Sequence, residues 1–191
     1  MVRIPSPEGG GLGRGRTPPG FVYRADLLTA EQERHLVDGI ARLPLKPFEF
    51  HGYLGKRRIA SFGWRYDYSG RALRPSEGMP AFLEPLRERA ARFAGLAPAA
   101  LEHALVTEYT PGAGIGWHRD KAEFGDVVAV SLLAPCRLRF RLRTAAGWDR
   151  RSLEVAPRSA YLLRGEARSR WEHSIPPVEM LRYSVTFRTL A

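Results

Sequence analysis

The chain has 191 residues, 44% of them hydrophobic and 26% charged, which suits one domain with a real core and excludes a disordered polymer. Its single cysteine, Cys136, excludes an internal disulfide framework and any zinc site built on several thiolates. Lysine plus arginine outnumber aspartate plus glutamate by 30 to 20, and the resulting charge of +10 suits either a polyanionic partner or plain arginine-rich composition.

Ten of the first twenty residues are glycine or proline, interspersed with Arg3, Arg14 and Arg16. Such a segment buries too little apolar area to offset its chain entropy, so residues 1–20 are predicted as a disordered basic tail and 21–191 as a single domain. No apolar stretch follows Arg3, and the longest apolar run, Val127–Pro135, is broken by Ser131 and too short to span a bilayer. The expectation is a cytoplasmic monomer with neither signal peptide nor membrane partner.

Thr29 reads as a helix N-cap with Gln32 completing a capping box, and Leu36, Ile40 and Leu43 form an apolar stripe that Pro44 ends. A second helix is predicted from about Pro80 to Phe93, closed by Gly95 and Pro98. Between them, Phe48–Tyr68 is rich in aromatics, glycine and arginine. It is read either as a surface that stacks bases and holds phosphates or as an irregular cluster supporting the fold. Beyond residue 100 the predicted strands are Leu101–Tyr109, Val127–Leu133, Arg137–Arg143, Leu153–Val155, Tyr161–Leu163 and Leu181–Thr189. The predicted class is α+β, helices first and an antiparallel β core second.

The segment Pro111-Gly-Ala-Gly-Ile-Gly-Trp-His118-Arg-Asp120 carries the clearest chemistry. Side chains two apart on an extended segment share a face, so His118 and Asp120 can supply two ligands of a facial triad that holds non-haem Fe(II) with open coordination positions. His173, in Arg170-Trp-Glu-His173-Ser-Ile-Pro, is the natural third ligand. In Leu181–Arg188 the odd positions are apolar and the even ones, Arg182, Ser184, Thr186 and Arg188, are polar. One face then packs in a core and the other lines water or a ligand cavity. Arg182 and Arg188 lie roughly 20 Å apart along the strand, and their planar forks suit the two ends of a small dicarboxylate.

Taken together, these motifs resemble the AlkB-like 2-oxoglutarate- and Fe(II)-dependent dioxygenases, from about Phe48 to Leu190. The resemblance rests on YTPGAGIGWHRD, WEHSIP and RYSVTFR, in that order. It implies a double-stranded β-helix (jelly-roll) core with the N-terminal helices packed on it. It also implies iron bound by His118, Asp120 and His173, with 2-oxoglutarate and O2 as cosubstrates and no catalytic residue beyond the metal ligands. Arg182 and Arg188 match the family's 2-oxoglutarate-binding pair, Tyr109 matches its cosubstrate tyrosine, and Thr107 stands where many members carry asparagine. Within FGWRYDYSG, which resembles the nucleotide-recognition region, Trp64, Tyr66 and Tyr68 are the candidate substrate contacts. Glu123 joins them, because Ala122 occupies the position where repair members carry an acidic residue. The implied reaction is oxidative dealkylation of N-alkylated bases in nucleic acid, with DNA favoured. The alternatives are the same chemistry on RNA, tRNA or a non-nucleic substrate, and a non-catalytic nucleic-acid-binding module.

Overall fold

The capping box expected at Thr29 is formed: its hydroxyl accepts from the Gln32 amide at 3.2 Å, and the Gln32 side chain accepts from the Thr29 amide at 3.0 Å. In the computed structural model, which describes residues 17–50, 53–70 and 72–191, this box opens helix α1 (Ala30–Ala41), with Leu36 and Ile40 buried. Helix α2 (Glu84–Ala94) follows a short 3-10 turn and stops at Gly95, whose φ of 68° lies in the left-handed region that glycine adopts freely. A short third helix, α3, spans Gly165–Ser169.

The strands in chain order are β1 (Phe21–Arg24), β2 (Lys46–Phe50), β3 (Tyr53–Phe62), β4 (Trp64–Asp67), β5 (Ala72–Pro75), β6 (His103–Tyr109) and β7 (Ile115–His118). They continue as β8 (Phe124–Leu132), β9 (Cys136–Thr144), β10 (Gly147–Val155), β11 (Ala160–Leu163), β12 (Glu172–Ile175) and β13 (Arg182–Leu190). The expected order of helices first and strands second therefore needs correcting, because among the described residues five strands precede residue 100. Their faces mix polar and apolar residues: Arg57, Ile59 and Ser61 share a cavity-facing side of β3, so no clean two-residue period marks it.

Every strand pair is antiparallel. A seven-stranded sheet runs β1-β11-β8-β13-β6-β3-β2 and a four-stranded sheet runs β10-β9-β12-β7, with β4 and β5 forming a separate ribbon. One core lies on the outer face of the large sheet, where Val106, Val130, Val185 and Phe187 pack with Ile40, Leu86 and Ala90 of the helices. The second lies between the sheets, joining Tyr109, Ala129 and Tyr161 to Leu138, Phe140 and Val155. This is the double-stranded β-helix architecture that the resemblance implies, and its interior holds the site.

The first sixteen residues of the expected tail lie outside the described residues, but residues 17–20 belong to the domain. The Pro18, Pro19 and Gly20 carbonyls accept from the amides of Phe21, Ala167 and Arg164, and the Thr17 carbonyl accepts from Arg151 Nη1. Backbone groups paired into the fold do not behave as a free tail. Among the described residues, no helix is long and apolar enough to cross a membrane.

Candidate metal centre

Glycine-rich backbone sets the centre. The Gly112 amide donates to the Val178 carbonyl at 2.8 Å, and the Val178 amide returns a bond to Ala113 at 2.9 Å. A Cβ on Gly114 would sit 2.7 Å from the Ile175 carbonyl oxygen, so only glycine allows β7 this close to the end of β12. That approach pairs His118 on β7 with His173 on β12, their ring centroids 4.2 Å apart. Asp120 lies in the loop after β7, with Oδ2 3.6 Å from His173 Nε2. The ligand atoms of His118, Asp120 and His173 all lie within 4.8 Å of one another.

The loop holding Asp120 is pinned by Arg168, which no sequence motif marks. From α3 its guanidinium donates to the carbonyls of Asp120 at 3.2 Å, Gly125 at 2.9 Å and Phe124 at 2.5 Å, and also to that of Lys121. Arg188 fixes the carboxylate itself, with Nε and Nη2 2.8 Å and 2.6 Å from Asp120 Oδ1. Arg188 Nη1 lies 3.3 Å from Nδ1 of buried His103.

Protonation suits ligation. Burial opposes the Asp120 charge, but Arg188 and the two imidazoles outweigh it and hold the carboxyl well below its usual range. Burial, then the neighbouring imidazole of His118, lowers His173 to about 3, and burial likewise lowers His118. Nδ1 of His118 is 2.9 Å from the Gly116 carbonyl, so that nitrogen carries the proton and Nε2 keeps its lone pair. Two neutral imidazoles and one carboxylate on one side of an open space fit a non-haem iron.

The residues expected to hold the cosubstrate share one face, because Tyr109, Thr107 and His103 of β6 pair in register with Arg182, Ser184 and Arg188 of β13. Thr107, Tyr109, Ser184, Thr186 and Arg188 line a cavity of about 590 Å³ that also contains the metal ligands. Arg182 is not among the cavity-lining residues: it is fully buried behind Tyr109, its Cζ 4.9 Å from that ring and its Nε 3.2 Å from Ser131 Oγ. Among the described residues Arg182 Nη1 has no hydrogen-bond partner, and a carboxylate of 2-oxoglutarate reaching it past Tyr109 would satisfy this buried N–H. The two arginines thus differ in environment: Arg182 has an orphaned donor, whereas Arg188 faces the buried Asp120 carboxylate, which needs a countercharge.

Of the expected substrate contacts, Tyr66 and Tyr68 line the cavity with rings 5.0 Å apart. Trp64 and Glu123 are not among the cavity-lining residues. Trp64 lies opposite Pro75 near Gly63, one strand period beyond Tyr66. Glu123 sits in the tight turn closed by the Phe124 amide on the Lys121 carbonyl, which leaves Lys121 at the cavity instead. Lys121 Nζ lies 4.7 Å and 5.2 Å from the Tyr66 and Tyr68 rings, and Arg57 lies 4.0 Å over Phe48. Phe48 and Arg57 lie in the aromatic- and arginine-rich segment that the sequence marks, whereas Lys121 carries no spacing signal.

The model of the 2OG-Fe(II) oxygenase superfamily matches residues 22–188. The chain is 28% identical over 184 residues to a relative in Arabidopsis thaliana described as "Alkylated DNA repair protein ALKBH8 homolog", covering 83% of this chain and 51% of the relative. It is 25% identical over 167 residues to "tRNA (carboxymethyluridine(34)-5-O)-methyltransferase alkbh8" of Xenopus tropicalis, covering 84% of this chain and 26% of the relative. The chain spans about half or less of the length of these curated relatives. Among solved structures, "The structure of OsALKBH1" superposes with a TM-score of 0.68 at 15% identity, over 92% of this chain and 99% of that one. A Pseudomonas putida prolyl-4-hydroxylase superposes with a TM-score of 0.62 at 15% identity, over 90% and 93%.

Proposed function

The chain belongs to the 2OG-Fe(II) oxygenase superfamily, whose chemistry uses Fe(II), 2-oxoglutarate and O2, and from that premise we propose that it is an AlkB-like member that oxidatively dealkylates N-alkylated bases in nucleic acid, with DNA as the favoured substrate. When bound, Fe(II) with 2-oxoglutarate and O2 supplies the oxidation of an unactivated C–H bond, and the hydroxylated N-alkyl carbon then leaves as an aldehyde. The chain's own residues hold and orient the reactants. His118, Asp120 and His173 would bind the metal in their neutral and anionic forms, Arg168 and Arg188 keep Asp120 in place, and Arg182 beside Tyr109 would take a cosubstrate carboxylate.

The observation that carries the nucleic-acid reading is the cavity mouth, where Phe48, Tyr66 and Tyr68 stand with Arg57 and Lys121 within cation–π distance. Aromatic faces offer stacking to a base extruded from its strand, and the cations suit its flanking phosphates. A second reading, action on RNA, is favoured by the relative named for a tRNA modification. Aerobic turnover with Fe(II) and 2-oxoglutarate on N-methylated DNA and RNA oligonucleotides in parallel decides between them, with aldehyde release as the readout. Aldehyde from DNA but not RNA supports the first reading, and the reverse supports the second. Succinate production with no aldehyde from either would direct the enzyme to a non-nucleic substrate.

A further inference from the structure

The outer face of the four-stranded sheet, opposite the interior that holds the metal ligands, carries a ladder of aromatic and guanidinium groups. Arg141 lies between two indoles, its Cζ 4.6 Å from the Trp117 ring on β7 and 4.5 Å from the Trp148 ring on β10. Arg139 flanks Trp117 at 5.1 Å and Arg143 flanks Trp148 at 5.4 Å. Strand alternation explains the row: Leu138 and Phe140 are fully buried between the sheets, so Arg137, Arg139, Arg141 and Arg143 point outward. Register adds Arg150 opposite Arg141 and Trp148 opposite Arg143.

The face is strongly positive. Against its five arginines stand the Glu154 and Glu172 carboxylates, and among the described residues the ion pair on this face joins Arg141 to Glu172 at 2.5 Å. Stacking on an indole orders a guanidinium; the Nε–H of Arg139 donates to Ser174 Oγ at 3.1 Å and that of Arg141 to Glu172, which leaves their Nη groups as the donors that suit phosphate oxygens. Arg139, Arg141 and Arg143 recur about every 7 Å, twice the strand rise, which is close to the separation of successive phosphates on an extended strand. Trp117 connects this face to the site: it lines the cavity and directly precedes the metal ligand His118.

We propose that this face is the track for the single strand flanking the reacting nucleotide, with phosphates on the arginine row and bases stacking against the exposed part of Trp148. The inference rests on the nucleic-acid reading of the site and specifies where the polymer lies beyond the cavity. The aromatic content and the spacing favour a nucleic-acid strand over an acidic protein, which would use the charges alone.

The test is the salt dependence of binding of the full chain to labelled oligothymidylate and oligouridylate, followed by fluorescence anisotropy. The Arg143→Ala/Arg150→Ala double variant should lower the slope of log affinity against log salt by about 1.4, at roughly 0.7 per phosphate contact on a single strand. Arg143→Lys/Arg150→Lys should restore most of that slope, which a misfolded protein would not do. Trp148→Ala should weaken oligonucleotide binding about tenfold and leave binding to heparin, which has no bases, unchanged. An unchanged slope in the alanine pair, with tight binding by the parent, overturns the track while leaving the substrate reading intact. Equal weakening toward heparin in Trp148→Ala overturns the stacking role and points to a generic polyanion face. No salt-dependent binding of either oligonucleotide by the parent chain removes the track and the nucleic-acid reading together.

Discussion

Arg188 and Asp120 form the tightest charged contact of the site: two guanidinium nitrogens converge on one carboxylate oxygen at 2.6 Å and 2.8 Å, leaving Oδ2 directed toward His173. The arginine thereby occupies Oδ1, so Oδ2 is the oxygen that would be free to bind a metal. Arg188→Lys, which keeps the charge but loses the fork, should weaken Fe(II) binding about 10- to 100-fold, the usual penalty for losing a group that orients a ligand. Titration with Fe(II) or Mn(II) in the absence of 2-oxoglutarate checks this, and an unchanged metal affinity would assign Arg188 to the cosubstrate instead.

Each of His118→Ala, Asp120→Asn and His173→Ala should abolish succinate production while leaving the fold intact. Asparagine is the better replacement at Asp120, because alanine would also leave the buried Arg188 without its carboxylate. Substantial succinate from any one of the three purified variants would remove that residue from the triad.

Arg182 is the buried cation with an orphaned N–H, so Arg182→Lys should raise the apparent KM for 2-oxoglutarate about tenfold or more with a smaller change in metal affinity. The opposite split from Arg188→Lys is the diagnostic result. Parallel titrations of metal and 2-oxoglutarate in both variants measure it.

The aromatic mouth gives a paired test. Tyr66→Ala and Lys121→Ala should raise KM for an alkylated oligonucleotide several-fold while leaving succinate formation without that substrate unchanged. Trp64→Ala and Glu123→Gln, away from the cavity, should leave KM within a factor of about two, inside the range typical of surface changes. A large KM effect at Trp64 would mean that the β4–β5 ribbon engages substrate along its length.

His103 links the site to acid stability. Burial, reinforced by Arg188, lowers its pKa to about 2, so the folded protein keeps it neutral while the unfolded chain takes up a proton below about 6.5. Its contribution is therefore full above pH 6.5 and is lost progressively as pH falls toward 2. His103→Asn retains an acceptor for Arg188 but cannot titrate. Urea unfolding of the metal-free protein between pH 7 and pH 4 should show a shallower loss of stability in the variant, by up to one proton taken up on unfolding. Identical slopes would mean that His103 is already protonated or solvated in the fold.

Local physics made part of this protein legible in its sequence. Thr29 and Gln32 predict their helix because a capping box is satisfied within four residues. The alternation of Arg182–Arg188 predicts a strand with one core face, because the pleat sends neighbours to opposite sides. The triad residues could be singled out because His118 and Asp120 lie two apart and metal chemistry restricts the donor set. What waited for the tertiary structure depends on partners distant in the chain. Arg168 reads as one of 27 arginines until α3 is laid against the loop at Asp120, and Lys121 as one of three lysines until the β4–β5 ribbon brings Tyr66 and Tyr68 over it. The matching forks of Arg182 and Arg188 look equivalent along one strand. Only the fold separates them, by placing a buried carboxylate beside one and leaving the other with an N–H that has no partner among the described residues.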